Sequence, residues 1–175
     1  MTRKRARRTA RGRNAAPQVE ILIGSPQWRR RRNAASLVRK AIRTAALIAG
    51  GSRSTRRAEL AILLTDDSAI RALNHDWRRR NAATNVLSFP ANALRGQFPQ
   101  HLGDIVIAYE TVAREAVAEN KSFGRHLVHL AVHGYLHLLG HDHATDREAD
   151  KMEQLEIDIL ARLGVPDPYR AALPA

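Results

Sequence analysis

Apolar positions along this chain change their spacing several times, and each change marks an element. Val19-Glu-Ile-Leu-Ile23 reads as a first strand, stopped by Gly24-Ser-Pro26. Trp28 and the run Arg29 to Arg32 follow it. From about Asn33 to Ala49, Leu37, Ala41, Ile42, Ala45, Leu47 and Ile48 fall at helical spacing, and Gly50-Gly51 ends the run. Leu60-Ala-Ile-Leu-Leu64 is a second strand, after which Asp66 or Asp67 caps a short helix through Ile70, Leu73 and Asn74. Thr84 to Pro90 is a third strand closed by proline. A loop containing Gly96, Pro99 and His101 leads to a fourth strand, Gly103 to Ile107, and Val112, Ala116 and Ala118 place a helix over Tyr109 to Asn120.

The next helix, from about Phe123 to Leu139, is apolar nearly all round: Leu127, Val128, Leu130, Ala131, Val132, Leu136 and Leu138 leave no solvated face, which predicts the central, buried helix. Thr145-Asp-Arg-Glu148 is a capping box that opens a last helix through Ala149, Met152, Leu155, Ile159 and Leu163, ended by Gly164 and Pro166. Short strands interspersed with helices, and helices clustered at the end, predict an α+β fold. The expected arrangement is a single domain with one mixed, about four-stranded sheet packed by helices around a central histidine-bearing helix. There is no internal repeat.

Charge alters this picture at one end. Residues 1–60 hold 17 Lys or Arg against two acids, Glu20 and Glu59, although the whole chain carries only +12. Residues 1–17 have seven basic residues, no acid and little apolar content, and are expected to form a disordered basic arm before a domain over 18–175. Such an arm suits RNA contact or serves solubility. No apolar stretch follows Arg7-Arg8 as an export signal requires, and no run is long enough to span a membrane. With no cysteine there are no disulfides, which fits a reducing, cytoplasmic setting. Arginine makes up 25 of the 29 basic residues, a choice suited to bidentate phosphate contacts and also to arginine-rich codon usage.

Within the buried helix the histidines are the anomaly. Four of the chain's eight lie between His133 and His143. Residues four apart share a helix face, so His133 and His137 can address one ion, and a left-handed turn at Gly140 can bring His143 back as a third ligand. Three nitrogens with an open fourth position is the arrangement of a catalytic zinc. The spacing of His133, His137, Gly140 and His143 matches that of the metzincin proteases, but those enzymes need a glutamate after the first histidine, and here that residue is Gly134. Met152 lies inside the last expected helix, so no Met-turn is evident.

The run His133-Gly-Tyr-Leu-His-Leu-Leu-Gly-His-Asp-His143 resembles the signature of the YbeY family of bacterial endoribonucleases, H-G-x-L-H-L-x-G-Y-D-H. Leu73-Asn74 with Arg78, the Thr84 to Pro90 segment, Leu102-Gly-Asp-Ile105 and Asp167-Pro-Tyr169 resemble further family blocks in the same order, so the likeness spans about residues 18 to 170. There are two departures: His141 stands where tyrosine is usual, and Asn85 where the T-D-V-L-S-F-P segment has aspartate.

The resemblance implies a zinc-dependent endoribonuclease directed at single-stranded RNA, acting in ribosomal RNA maturation at the small-subunit RNA 3′ end and in ribosome quality control. It implies one zinc per chain held by His133, His137 and His143, and Arg78 as the functional arginine. His133, His137 and Arg78 are then the catalytic residues, and Arg78, Arg79 and Arg80 the RNA contacts. Ribosomal RNA and the small ribosomal subunit are the expected partners, with no membrane. The general base stays open among Asp142, His141 and Asp104, any of which could instead orient a ligand's other ring nitrogen. His141 could also be a spectator or a competing ligand. His129 is expected to make a core hydrogen bond, and His75, His101 and His126 to be surface or loop residues. Two other classes fit the same residues: a ribosome-assembly binding factor with a structural metal, and a metal-dependent peptide hydrolase.

Overall fold

In a computed structural model that describes residues 16–49, 58–91 and 101–169, every expected strand and helix is present. The order is β1 (Gln18–Ile23), α1 (Pro26–Arg30), α2 (Ala34–Ile48), β2 (Glu59–Thr65), α3 (Asp67–Arg78), β3 (Val86–Pro90), β4 (His101–Ala108), α4 (Tyr109–Ala118), α5 (Phe123–Leu138) and α6 (Asp146–Arg162). Residues 1–15 of the expected basic arm, the Gly50-Gly51 stop and the loop around Gly96 and Pro99 lie outside the described residues. Among the described residues no helix is long and apolar enough to cross a membrane.

The fold is α+β, with one mixed sheet in the order β1-β2-β4-β3. β1, β2 and β4 run parallel, and β3 pairs antiparallel with β4 as an edge strand. Alternation along the strands assigns two faces. Leu60, Ile62, Leu64, Ile105 and Ile107 enter the larger core with α2, α5 and α6. Val106, Ala108 and Leu87, with the half-buried Leu63, turn to the other side, where Ile70 and Leu73 of α3 cover them.

Several boundaries differ from expectation. Proline at its first turn starts α1, which anchors Trp28: the ring is buried and its Nε1–H donates to Thr65 O at 2.7 Å. α3 continues past Asn74 through Trp77 and Arg78, and the buried Asn74 donates from Nδ2 to Ala82 O at 2.8 Å, folding the next loop back onto the helix. His101 belongs to β4, not to a loop. β3 begins at Val86 rather than Thr84. Asp66, not Asp67, is the α3 cap, accepting from Ala69 N; Asp67 instead accepts from the Thr111 amide and hydroxyl, while its own amide donates to Glu110. These bonds tie the starts of α3 and α4 together and so aim the far end of α3.

Candidate metal centre and recess

α5 carries the centre. Its start is capped by Ser122, whose Oγ accepts from Arg125 N, and it ends where Gly140 takes a φ of 86°, the left-handed turn that a glycine adopts without strain. The amide of His141 then donates to Leu136 O at 3.1 Å, and the chain folds back. This turn returns His143 to the two helical histidines. Nitrogens of His133, His137 and His143 all lie within 4.8 Å of one another, and Nε2 of His133 faces Nε2 of His137 at 3.1 Å. Hence the group could hold one metal ion.

The donor chemistry fits such an ion. A histidine binds metal only as the neutral ring, with one nitrogen protonated and the other free. His133 Nδ1–H donates to Glu156 Oε1 at 2.8 Å, which leaves Nε2 as the lone pair that points at the group. The pKa of His137 is lowered by burial, and then by the positive charge that His133 and His143 would carry, so it favours the neutral form. Three imidazoles suit zinc and its neighbours among the transition metals.

Glu156 was not singled out from the sequence, although a carboxylate inside the Met152, Ile159 and Leu160 stripe of α6 is the signal that could have found it. It is 0% exposed. Burial works to raise its pKa, but His129, His133 and the Tyr169 hydroxyl, which donates to Oε2, outweigh that cost and hold it at about 2. Its charge is therefore retained at neutral pH. Desolvation and that same carboxylate drive the Tyr169 phenol upward, so it remains a donor.

Arg78, Thr84, Asn85, Ser88, His141 and Asp142 join the three histidines around an open recess of about 540 Å³. Arg78 reaches it from the last turn of α3, and among the described residues it makes no ion pair. Arg79 caps the helix at a left-handed φ of 57° and does not line the recess, nor does Arg80. Asp142 accepts from the His143 amide, and its carboxylate stands 3.5 Å from His143 Nδ1. His141 is half-buried in the wall.

Asp104, expected as a candidate base, does not line the histidine recess. It stands on the opposite side of the sheet from its neighbour Ile105, which packs against Gly134, and it contacts His101 at 3.1 Å in a different recess. Strand parity puts it out of reach of the histidines. His126 also departs from expectation: it is buried, and its Nε2 lies 2.7 Å from Glu115 Oε2. Glu115 in turn accepts from Asn85 Nδ2 at 3.0 Å, so the amide that replaces the family's aspartate is a donor to a carboxylate. His129 turns its Nε2 toward the buried Glu156 carboxylate, 3.5 Å from Oε2.

Gly134 explains the missing protease glutamate. A Cβ there would meet Ile105 Cγ2 and Ser88 Oγ at 3.0 Å, and Ser88 Oγ donates to Gly134 O at 3.1 Å. α5 lies so close to β3 and β4 that a Cβ here fits only if Ile105 and Ser88 give way, and a glutamate would be crowded against them.

Residues 25–164 match the family described as Endoribonuclease YbeY. The chain is 53% identical over 162 residues to a Nitrobacter winogradskyi protein named Endoribonuclease YbeY, covering 90% of this chain and 84% of that protein. A Nitrobacter hamburgensis protein of the same name is 51% identical over 160 residues, covering 89% and 83%. In fold, the solution structure of TM1509 from Thermotoga maritima is similar with a TM-score of 0.54 at 20% identity, covering 87% of this chain and 99% of that one. The histidine signature, the sheet around it and these likenesses agree, and the chain belongs to the endoribonuclease YbeY family.

Proposed function

We propose that this protein is a zinc-dependent endoribonuclease that cuts single-stranded RNA, with residues 18–175 as its catalytic domain. The observation that carries this reading is a single recess with three convergent histidine nitrogens on one wall and, on another, an arginine that has no ion pair among the described residues, in a member of an endoribonuclease family. Ribosomal RNA on the small subunit, at its 3′ end, is the substrate the family resemblance favours, with a role in ribosome quality control and a cytoplasmic setting. The basic first third supplies attraction to any such polyanion.

His133, His137 and His143 would hold the ion. When bound, zinc supplies Lewis acidity toward a phosphoryl oxygen and acidifies a bound water. Arg78 grips the phosphate and stabilises the charge that grows on it, for which a planar, permanently charged guanidinium is suited. Glu156 fixes the tautomer and orientation of His133, and Asp142, by accepting from the His143 amide, holds the turn that carries His143. Asn74 holds the Ala82 carbonyl and thereby sets the loop that carries Thr84 and Asn85 into the recess wall.

Incubation of the zinc-loaded protein with unstructured RNA, base-paired RNA and casein tests the reading. Internal cleavage of the unstructured RNA alone is expected. Peptide cleavage without RNA cleavage would sink it.

A further inference from the structure

The last turn of α3 delivers two consecutive side chains to two different recesses. Arg78 lines the one with the histidines, whereas Trp77 lines another, of about 690 Å³, on the opposite face of the sheet. That second recess is walled by Leu22, Leu63, Leu73 and Phe89, with the Asp104 carboxylate at its rim. Ser88 and Pro90 line both recesses, and they belong to β3, the free edge of the sheet.

Trp77 is 71% exposed, the largest apolar ring this chain leaves in solvent among the described residues. It is not loosely placed, since its ring tilts against Phe89 with centroids 5.6 Å apart. An exposed indole on an aromatic support, flanked by Arg78, Arg79 and Arg80, combines a π-surface with cations that follow a phosphate backbone. Such a pairing suits a single strand, because a base in a duplex has no free face to offer.

We propose that Trp77 is a stacking platform for a nucleobase of the RNA substrate, which crosses the β3 edge from the phosphate held at Arg78. This rests on the ribonuclease reading above. Trp77 is thus a positioning residue that selects unpaired substrate and keeps the scissile phosphate in register. Arg78 determines where the backbone sits, and Trp77 determines which way the adjoining base turns.

The metal-free full chain permits binding to be read without cleavage. Trp28 is 1% exposed, so quenching of tryptophan emission by an added oligonucleotide reports Trp77. Titration with unlabelled oligoadenylate of about 12 nucleotides should quench the wild type and leave Trp77→Leu unquenched. By fluorescence anisotropy Trp77→Leu should bind roughly 5- to 100-fold more weakly, while Trp77→Tyr, which keeps a flat ring, stays within about threefold of wild type. The salt slope should be equal in all three, because no charge is removed. Wild-type affinity in Trp77→Leu, or equal loss in Trp77→Leu and Trp77→Tyr, overturns the proposal, the latter by showing that packing rather than stacking was removed. A wild type that binds no RNA removes the ribonuclease reading together with this one, whereas tight wild-type binding with unaffected Trp77→Leu removes only the stacking platform.

Discussion

His133 is held from behind by Glu156, with Nδ1 and Oε1 2.8 Å apart, so a carboxylate on α6 decides which nitrogen of an α5 histidine faces the recess. This carboxylate has no exposure to water, and its Oε2 takes the Tyr169 hydroxyl. Glu156→Gln keeps the volume but loses the charge. Zinc affinity should fall about 10- to 100-fold, as is typical when a ligand's orienting partner is lost. Competition against a chelator measures it, and an unchanged affinity would contradict the role given to Glu156.

Two of the histidines should differ when removed, although each loss weakens metal binding. His143 has a side chain 58% exposed, so His143→Ala should change metal-free stability by less than about 0.5 kcal/mol. His133→Ala strips a partner from a buried charge and should cost about 1–3 kcal/mol. Urea denaturation of the two metal-free variants compares them directly. Equal midpoints would show that the Glu156 contact carries no stability.

Arg78→Ala should lower RNA affinity and make the log-log salt slope shallower by about 0.7, the value for one phosphate contact on a single strand. Arg78→Lys should recover the slope but not the full cleavage rate, since an ammonium cannot make the paired bonds of a guanidinium. A slope unaltered in Arg78→Ala would place the phosphate elsewhere.

Gly134→Ala sets two effects against each other. Alanine is favoured over glycine in a helix by about 1 kcal/mol, yet its Cβ would press Ile105 and Ser88 at 3.0 Å, and overpacking costs about 1–3 kcal/mol. With a strand on one side and the helix backbone on the other, crowding should prevail and the variant lose about 1 kcal/mol. A thermal melt above that of wild type would refute the close approach.

Acid should expose the Glu156 cluster. Its folded pKa is about 2, below the ordinary 4.5, so the stability it contributes is fully present above pH 4.5 and is lost as pH falls toward 2. Glu156→Gln has no such proton to take up. Between pH 5 and pH 2.5 the wild type should therefore lose more stability than the variant, as urea midpoints across that window would show. Parallel losses would mean that Glu156 is not held ionised by its neighbours.

Much of this protein was legible in its sequence because local periodicity writes it there. The apolar run from Leu60 to Leu64, the Thr145 capping box, Gly140 as a left-handed stop and the four-residue step from His133 to His137 are each properties of a few consecutive residues, and the structure contains all of them. The mixed four-stranded sheet followed from counting such segments.

What the tertiary structure decided depends on how distant segments meet. Asp104 and Ile105 are adjacent, but β4 turns them to opposite faces, and only the pairing of β4 with β2 and β3 tells which face holds α5. Glu156 interrupts the apolar stripe of α6, but only the packing of α6 on α5 shows that its partner there is His133. His126 disappears into the core against Glu115, and Trp77 becomes part of a recess because the end of α3 lies beside Phe89 and Pro90 of β3. Spacing along a chain determines which side chains share a face; contact between faces is set by register and packing across the sheet, where residues far apart in sequence fill one another's space.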